Sequence, residues 1–193
     1  MKRAVLVAAG VSLFIIGAHA QKKDPAGFPN TKRHGKAIVE YRDRDLNVVL
    51  SYQYSQQSHD GRWLLIDFGM RSEHRFVIER EHIRLVDADG AWFPVASERH
   101  FVEDGAQITH LRQNATIWKR DLTNYLGTVP RTPMKFFALP GEGVIITGAL
   151  VDREHNTIGE LYFENPQGSW KEGDYALLIE HPDARVKLPL TLN

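Results

Sequence analysis

The chain contains no cysteine. That excludes disulfides, thiol catalysis, thiolate-held zinc and iron–sulfur clusters, and a lipid-modified cysteine near the N-terminus. It also has no excess of one charge: Lys+Arg and Asp+Glu are both 24. No global field therefore recruits nucleic acid or an anionic membrane. Short catalytic signatures are missing too. There is no Gly-x-Ser-x-Gly elbow, and Ser51, Ser55, Ser58, Ser72, Ser97 and Ser169 sit in no nucleophile context. Gly141-Glu142-Gly143 is followed by no helix pattern that could cradle a phosphate. No His-x-His, His-Glu-x-x-His or His-x-x-x-His spacing occurs.

The one long apolar run is N-terminal. Lys2 and Arg3 precede Ala4 to Gly17, and Ala18-His19-Ala20 offers a small-residue cleavage site. The run falls short of the roughly 20 residues a spanning helix needs. Residues 1–20 therefore read as a secretory signal peptide, which predicts an exported protein, periplasmic or extracellular. Its removal takes away two bases and no acid, so the mature chain carries 22 basic and 24 acidic residues. A chain of that size buries a sufficient core without disulfides.

Residues 21–36 are polar, aperiodic and hold two prolines. They read as a flexible leader, a few residues of which can pair at a sheet edge. Residues 37–193 read as one domain, rich in short strands. Ala37 to Tyr41 is the first. Leu46, Val48, Leu50, Tyr52 and Tyr54 alternate with polar residues, as in a half-buried strand. Leu64, Ile66, Phe68 and Met70 share one face of the next strand, with Trp63, Leu65, Asp67 and Gly69 on the other. Phe76 to Glu79 follows. His82 to Val95 is a hairpin about Asp89-Gly90, and Pro94 puts its return strand at an edge. Met134 to Leu139 is another strand. Val144–Val151 and Ile158–Phe163 suggest a second hairpin. Tyr175 to Glu180 and Val186 to Leu192 close the chain, with Pro189 as an edge mark.

Between the two β-rich halves, Ser97 to Val102 forms a short helical turn and a longer helix spans about 104–126, within an insertion at about 97–127. Asp104 and Gln107 have capping-box spacing. Ile108, Leu111, Ala115, Trp118, Leu122 and Tyr125 make an apolar stripe. Gly127 and Pro130 stop it. Arg112, Lys119 and Arg120 lie on the polar side, beside Asp121. The stripe is read as packing on a sheet, with the cations in water.

Frequent turns, about ten short strands and one inserted helix predict a mainly β chain: a two-sheet antiparallel sandwich. Three stretches carry a resemblance. They are Trp63 to Met70 with Phe76-Val77-Ile78; Ile83 to Gly90; and Gly159 to Pro166 with Trp170, Gly173, Tyr175 and Leu177. In these the chain is similar to secreted bacterial immunoglobulin-like domains, over Ala37 to Leu192 apart from the helical insertion. The resemblance implies a fold and an exported location. It carries no catalytic residue across.

Other candidates have plain readings. Asp87, Asp89 and Gly90 fit a turn better than a calcium loop, which needs five or more oxygens. His74, His82, His100 and His110 could hold a metal only if the fold gathers them. Asp43 with Asp45, and Glu79 with Glu81, are charges at strand ends. Trp63, Trp92, Trp118 and Trp170 would serve a sugar or peptide site only where exposed. No catalytic, cofactor or metal residue is therefore assigned. The expected function is an exported, non-enzymatic binding or cell-envelope accessory domain, with another envelope or extracellular protein as partner. The alternatives are a small hydrolase or metal-dependent enzyme assembled from dispersed His and Asp/Glu, and an assembly subunit that uses an edge strand.

Overall fold

The computed structural model describes residues 27–193. The signal peptide expected at residues 1–20, and residues 21–26 of the leader, lie outside the described residues. In chain order the first half holds β1 (Thr31–His34), β2 (Ile38–Arg42), β3 (Leu46–Ser51), α1 (Gln53–Gln57), β4 (Trp63–Ser72), β5 (Phe76–Glu79), β6 (Ile83–Asp87) and β7 (Trp92–Pro94). Then come α2 (Glu98–Glu103), α3 (Gly105–Ala115) and α4 (Thr123–Leu126). The second half holds β8 (Arg131–Met134), β9 (Gly148–Val151), β10 (Asn156–Glu164), β11 (Gly173–His181) and β12 (Ala184–Leu192). No helix of the described residues is long and apolar enough to cross a membrane.

The chain is mainly β, as its sequence predicts, but it forms three sheets among the described residues, not two. One has the order β1-β2-β3-β4-β10-β8, one β12-β11-β6-β7, and β5 pairs with β9 alone. All the ladders are antiparallel except β8 with β10. The third sheet arises because the expected second hairpin does not form. Asp152 Oδ1 accepts the N–H groups of Glu154 (3.0 Å) and His155 (2.8 Å), turning the chain. β9 then pairs with β5, while β10 runs between β4 and β8.

Leu64, Ile66, Phe68 and Met70 are fully buried and join Leu85, Leu177 and Leu188 of the four-stranded sheet in one hydrophobic cluster. Each such side chain contributes about 2 kcal/mol by leaving water. The β6–β7 hairpin forms as expected. Asp87 Oδ1 accepts from the N–H groups of Asp89 and Ala91 at 3.0 and 2.8 Å, and Gly90 takes φ +85°. Pro94 and Pro189 both lie on edge strands.

Within the leader, β1 pairs at the sheet edge, as the sequence allows for a few residues there. Several boundaries differ from expectation. β3 stops at Ser51, since Tyr52 is buried as a plug and its hydroxyl donates to the Lys36 carbonyl at 3.2 Å. β3 is also buried on both faces, because Leu122 and Leu126 cover Ile38 and Val49. Past Met134 the strand expected to Leu139 gives way to irregular chain, with Phe136 and Phe137 buried.

The largest correction is the helix. The stretch expected at about 104–126 is α3, a 3-10 turn at Thr116–Trp118, a break and α4, with α2 before them. Asp104 does not cap α3 with its side chain. Its Oδ2 instead accepts from Trp63 Nε1 (3.0 Å) and the Arg62 guanidinium (3.1 Å). Lys119 is extended at φ −61°, ψ 132°, which ends the helix. The expected stop does hold, with Gly127 at φ +110°.

Candidate functional site

The break in the helix lies over a polar row in the sheet. β4 and β10 are paired so that Trp63 faces Glu164, Leu65 faces Tyr162, Asp67 faces Glu160 and Gly69 faces Ile158. These residues share the outer face, since directly opposed residues in a ladder point the same way. At one end α3 covers the face with Ile108, Leu111 and Ala115, all buried. At the other end Leu122 and Leu126 are buried, with Ile158 packed beside them. A Cβ on Gly69 would stand 2.7 Å from Leu126, which shows how closely α4 sits on the strand. Between the two covers the sheet offers carboxylates instead of methyl groups. A continuous apolar stripe has nothing to pack on there, so the helix opens and Lys119 and Arg112 turn to the acids.

The resulting cleft has a volume of about 560 Å³. A recess of about 230 Å³ under Ala115 and Thr116 shares Asp67, Arg112, Lys119 and Glu160 with it. Lys119 Nζ donates to Glu160 Oε1 at 2.7 Å, and the Tyr162 hydroxyl donates to Glu160 Oε2 at 2.6 Å. Arg112 Nε donates to the Tyr162 oxygen at 2.7 Å, while its NH1 reaches both oxygens of Glu142 at 2.8 and 2.9 Å. The guanidinium carbon stands 5.2 Å from the centre of the Phe101 ring. Glu142 also accepts from the Leu139 N–H at 2.8 Å. At the mouth, Arg131 bonds Asp121 at 2.6 Å.

These contacts set the charges. Burial works against the Glu160 charge, but bonds from Lys119 and Tyr162 and the cations nearby outweigh it and hold Glu160 below the usual carboxylate range. Glu142 is held low as well, by the Leu139 N–H and by Arg112. Burial, then Glu160, pushes the Tyr162 hydroxyl up, so it stays a donor. Asp67 is the exception. Burial pushes its carboxyl up to about 6; Lys119 opposes the push and Glu160 adds to it. Among the described residues Asp67 is the acid of this cleft without a hydrogen-bond donor of its own. Its other ladder neighbour is Ser51 on β3. Ser51 is 1% exposed, and its hydroxyl has no hydrogen-bond partner.

Arg112, Lys119, Arg120 and Asp121, expected on a water-facing side of the helix, instead line this cleft, because the acids of the sheet draw the cations in. The other residues singled out in the sequence lie elsewhere. His74 sits 3.9 Å from Asp45, His82 packs against the His181 ring at 4.7 Å, His100 bonds Glu164 at 2.8 Å, and His110 lies beside Asn114. They do not converge, and among the described residues no group of three His, Asp or Glu is placed to hold a metal. Asp43 closes a turn onto the N–H groups of Asp45 and Leu46. Trp63 and Trp170 are buried; Trp170 Nε1 donates to the Arg62 carbonyl at 3.1 Å. Trp92 is exposed on the β7 edge and Trp118, expected on the buried stripe, is half-exposed. Asp67 and Glu160 are not legible as a pair in the sequence. The available signal is that Asp67 is the lone charge between Trp63 and Met70, an interruption of an apolar strand.

In comparisons with family models, curated proteins and solved structures, nothing matches this chain.

Proposed function

We propose that this protein is an exported, non-enzymatic binding module built on an immunoglobulin-like sandwich, and that its ligand sits in the cleft over Asp67 and Glu160. Three observations support export and the sandwich: the N-terminal apolar run, the short alternating strands, and one core shared by the two larger sheets. The cleft carries the binding reading. It is of ligand size, part apolar and part charged, and most of its polar groups are already fixed by one another. Such a preorganised set recognises a shape and a charge pattern without needing to move. Asp67, which lines the cleft without a donor of its own, is where a ligand gains most.

One observation favours a second reading, a hydrolase. Asp67 near 6 beside an ionised Glu160 is the kind of split that separates an acid from a base.

The test is a thermal-shift screen of the purified protein, expressed from the full chain, against small polar molecules. Hits are repeated with Asp67→Asn and Lys135→Glu, and the bound compound is recovered and weighed. Stabilisation that both substitutions weaken, with the compound recovered intact, is the expected result. Hits indifferent to both changes would sink the cleft assignment. A compound recovered in cleaved form would establish the hydrolase instead.

A further inference from the structure

The charges of the cleft are not evenly placed. Deep in it, Glu160 is held by Lys119 and Tyr162, and the exposed Glu142 is held by Arg112 nearer the rim. Asp67 and Ser51 remain as two neighbouring acceptors with no donor among the described residues. At the mouth the imbalance is reversed. Arg131 is neutralised by Asp121, but among the described residues Arg120 bonds only the neutral Gln53 side chain, at 3.1 Å, and Lys135 only the Glu142 backbone carbonyl. Among the described residues the cleft thus has a negative pole without a donor inside and two cations bonded to no carboxylate outside.

Building on the cleft-binding reading above, we propose that the ligand is a zwitterion, an α-amino acid or short peptide with free ends. Its ammonium meets Asp67, beside Ser51, and its carboxylate meets Arg120 and Lys135. An ammonium is the group that restores the charge of a half-buried carboxylate, and it donates three hydrogen bonds where acceptors wait. A carboxylate at the mouth gains charge-assisted bonds from a guanidinium and an ammonium. A simple anion would have to approach Asp67 and Glu160, and a simple amine would have to pass Arg120, Arg131 and Lys135. A molecule carrying both charges avoids each conflict. The volume exceeds what a single small amino acid fills, so a dipeptide is the better fit.

The groups facing Asp67 are Lys119 from the helix break, Arg112 from α3, Glu160 and Tyr162 from β10, and Ser51 from β3. Glu160 is held ionised and Tyr162 neutral across the mildly acidic range. Asp67 is therefore the facing group that changes charge there, and binding of an ammonium must follow its ionisation.

Isothermal titration with alanyl-alanine, its N-acetyl derivative and its C-terminal amide tests the proposal, because each derivative removes one charge at nearly constant size. The free dipeptide is expected to bind at pH 7.5, with each derivative at least about tenfold weaker. Its affinity should fall about tenfold between pH 7.5 and pH 5, as a site titrating near 6 becomes protonated. Asp67→Asn should weaken binding and abolish the pH dependence while the variant remains folded by circular dichroism. Lys135→Gln should reduce the preference for the free carboxylate, its double substitution with Arg120→Gln should erase it, and both should leave the preference for the free amine. Equal binding of all three compounds, or affinity that rises on acidification, would overturn the zwitterion. No binding of the dipeptide, with cleft-dependent hits persisting in the screen, would overturn the ligand class alone. No cleft-dependent hit of any kind would remove the binding reading beneath it.

Discussion

At the scale of the residue, Asp67 costs the fold stability. A carboxyl that titrates near 6 when folded and near 3.8 when unfolded disfavours the folded state by about 3 kcal/mol once both forms are ionised. The penalty is absent below pH 4, grows as pH rises through 4 to 6, and is complete above that. Asp67→Asn should therefore be more stable than the parent at pH 8, by about 1–2 kcal/mol after discounting for water at the cleft mouth. The advantage should vanish near pH 4. Urea unfolding at the two pH values checks this, and an equal difference at both would refute the assignment of the charge. Arg112 acts in the opposite sense, because Glu142, Glu160 and Tyr162 all lean on it. Arg112→Met should cost about 2 kcal/mol, more than an exposed ion pair and less than a buried one, since its side chain is about a quarter exposed. A loss below about 0.5 kcal/mol would reduce the network to surface decoration.

At the scale of the element, alternation and turn chemistry make the β6–β7 hairpin, β4, β5 and the two edge strands legible in the sequence. Each is fixed by neighbours close in sequence or by a single proline or glycine. The helix is misleading for a related reason. Its stripe of spacings continues through Trp118, but what decides a helix is the surface beneath it. That surface alternates Leu65, Asp67 and Gly69 along β4, so only the ends of the stripe have apolar partners. Exposed Ile117 and half-exposed Trp118 are the part left without any. The pairing of β8 with β10 is equally hidden, because a parallel neighbour 25 residues away leaves no local mark. Its signature is Gly159. A Cβ there would stand 2.1 Å from the Met134 carbonyl oxygen, which is backbone and cannot rotate aside. Gly159→Ala should cost about 3 kcal/mol or more, whereas Gly69→Ala, which meets side chains alone, the end of Leu126 closest and Val49 next, should cost about 1 kcal/mol. Thermal unfolding of the pair compares them directly, and equal losses would contradict so close an approach of β8 to β10.

At the scale of the whole molecule, the cleft belongs to the most enclosed part of the fold. β4 is paired on both edges, with β3 and β10, its inner face lies in the main core, and its outer face is under α3 and α4. Asp67 therefore stands on a strand that can open only when the domain does. Amide exchange should reflect this. The slowest amides are expected in β3, β4 and β10, and in β11 between β12 and β6, near the global limit. Residues 139–147 should exchange fastest, since Glu142 and Ile146 are the amides there that donate to backbone carbonyls. Substitution at Asp67 then separates two kinds of coupling. If Asp67 burdens the whole fold, Asp67→Asn at pH 8 should slow exchange in β3, β4, β10 and β11 together and leave residues 139–147 unchanged. If the burden were local to the cleft, only the amides around residues 119–122 would respond. The enclosure of β4 argues for the global response, because no smaller opening brings its carboxyl fully into water.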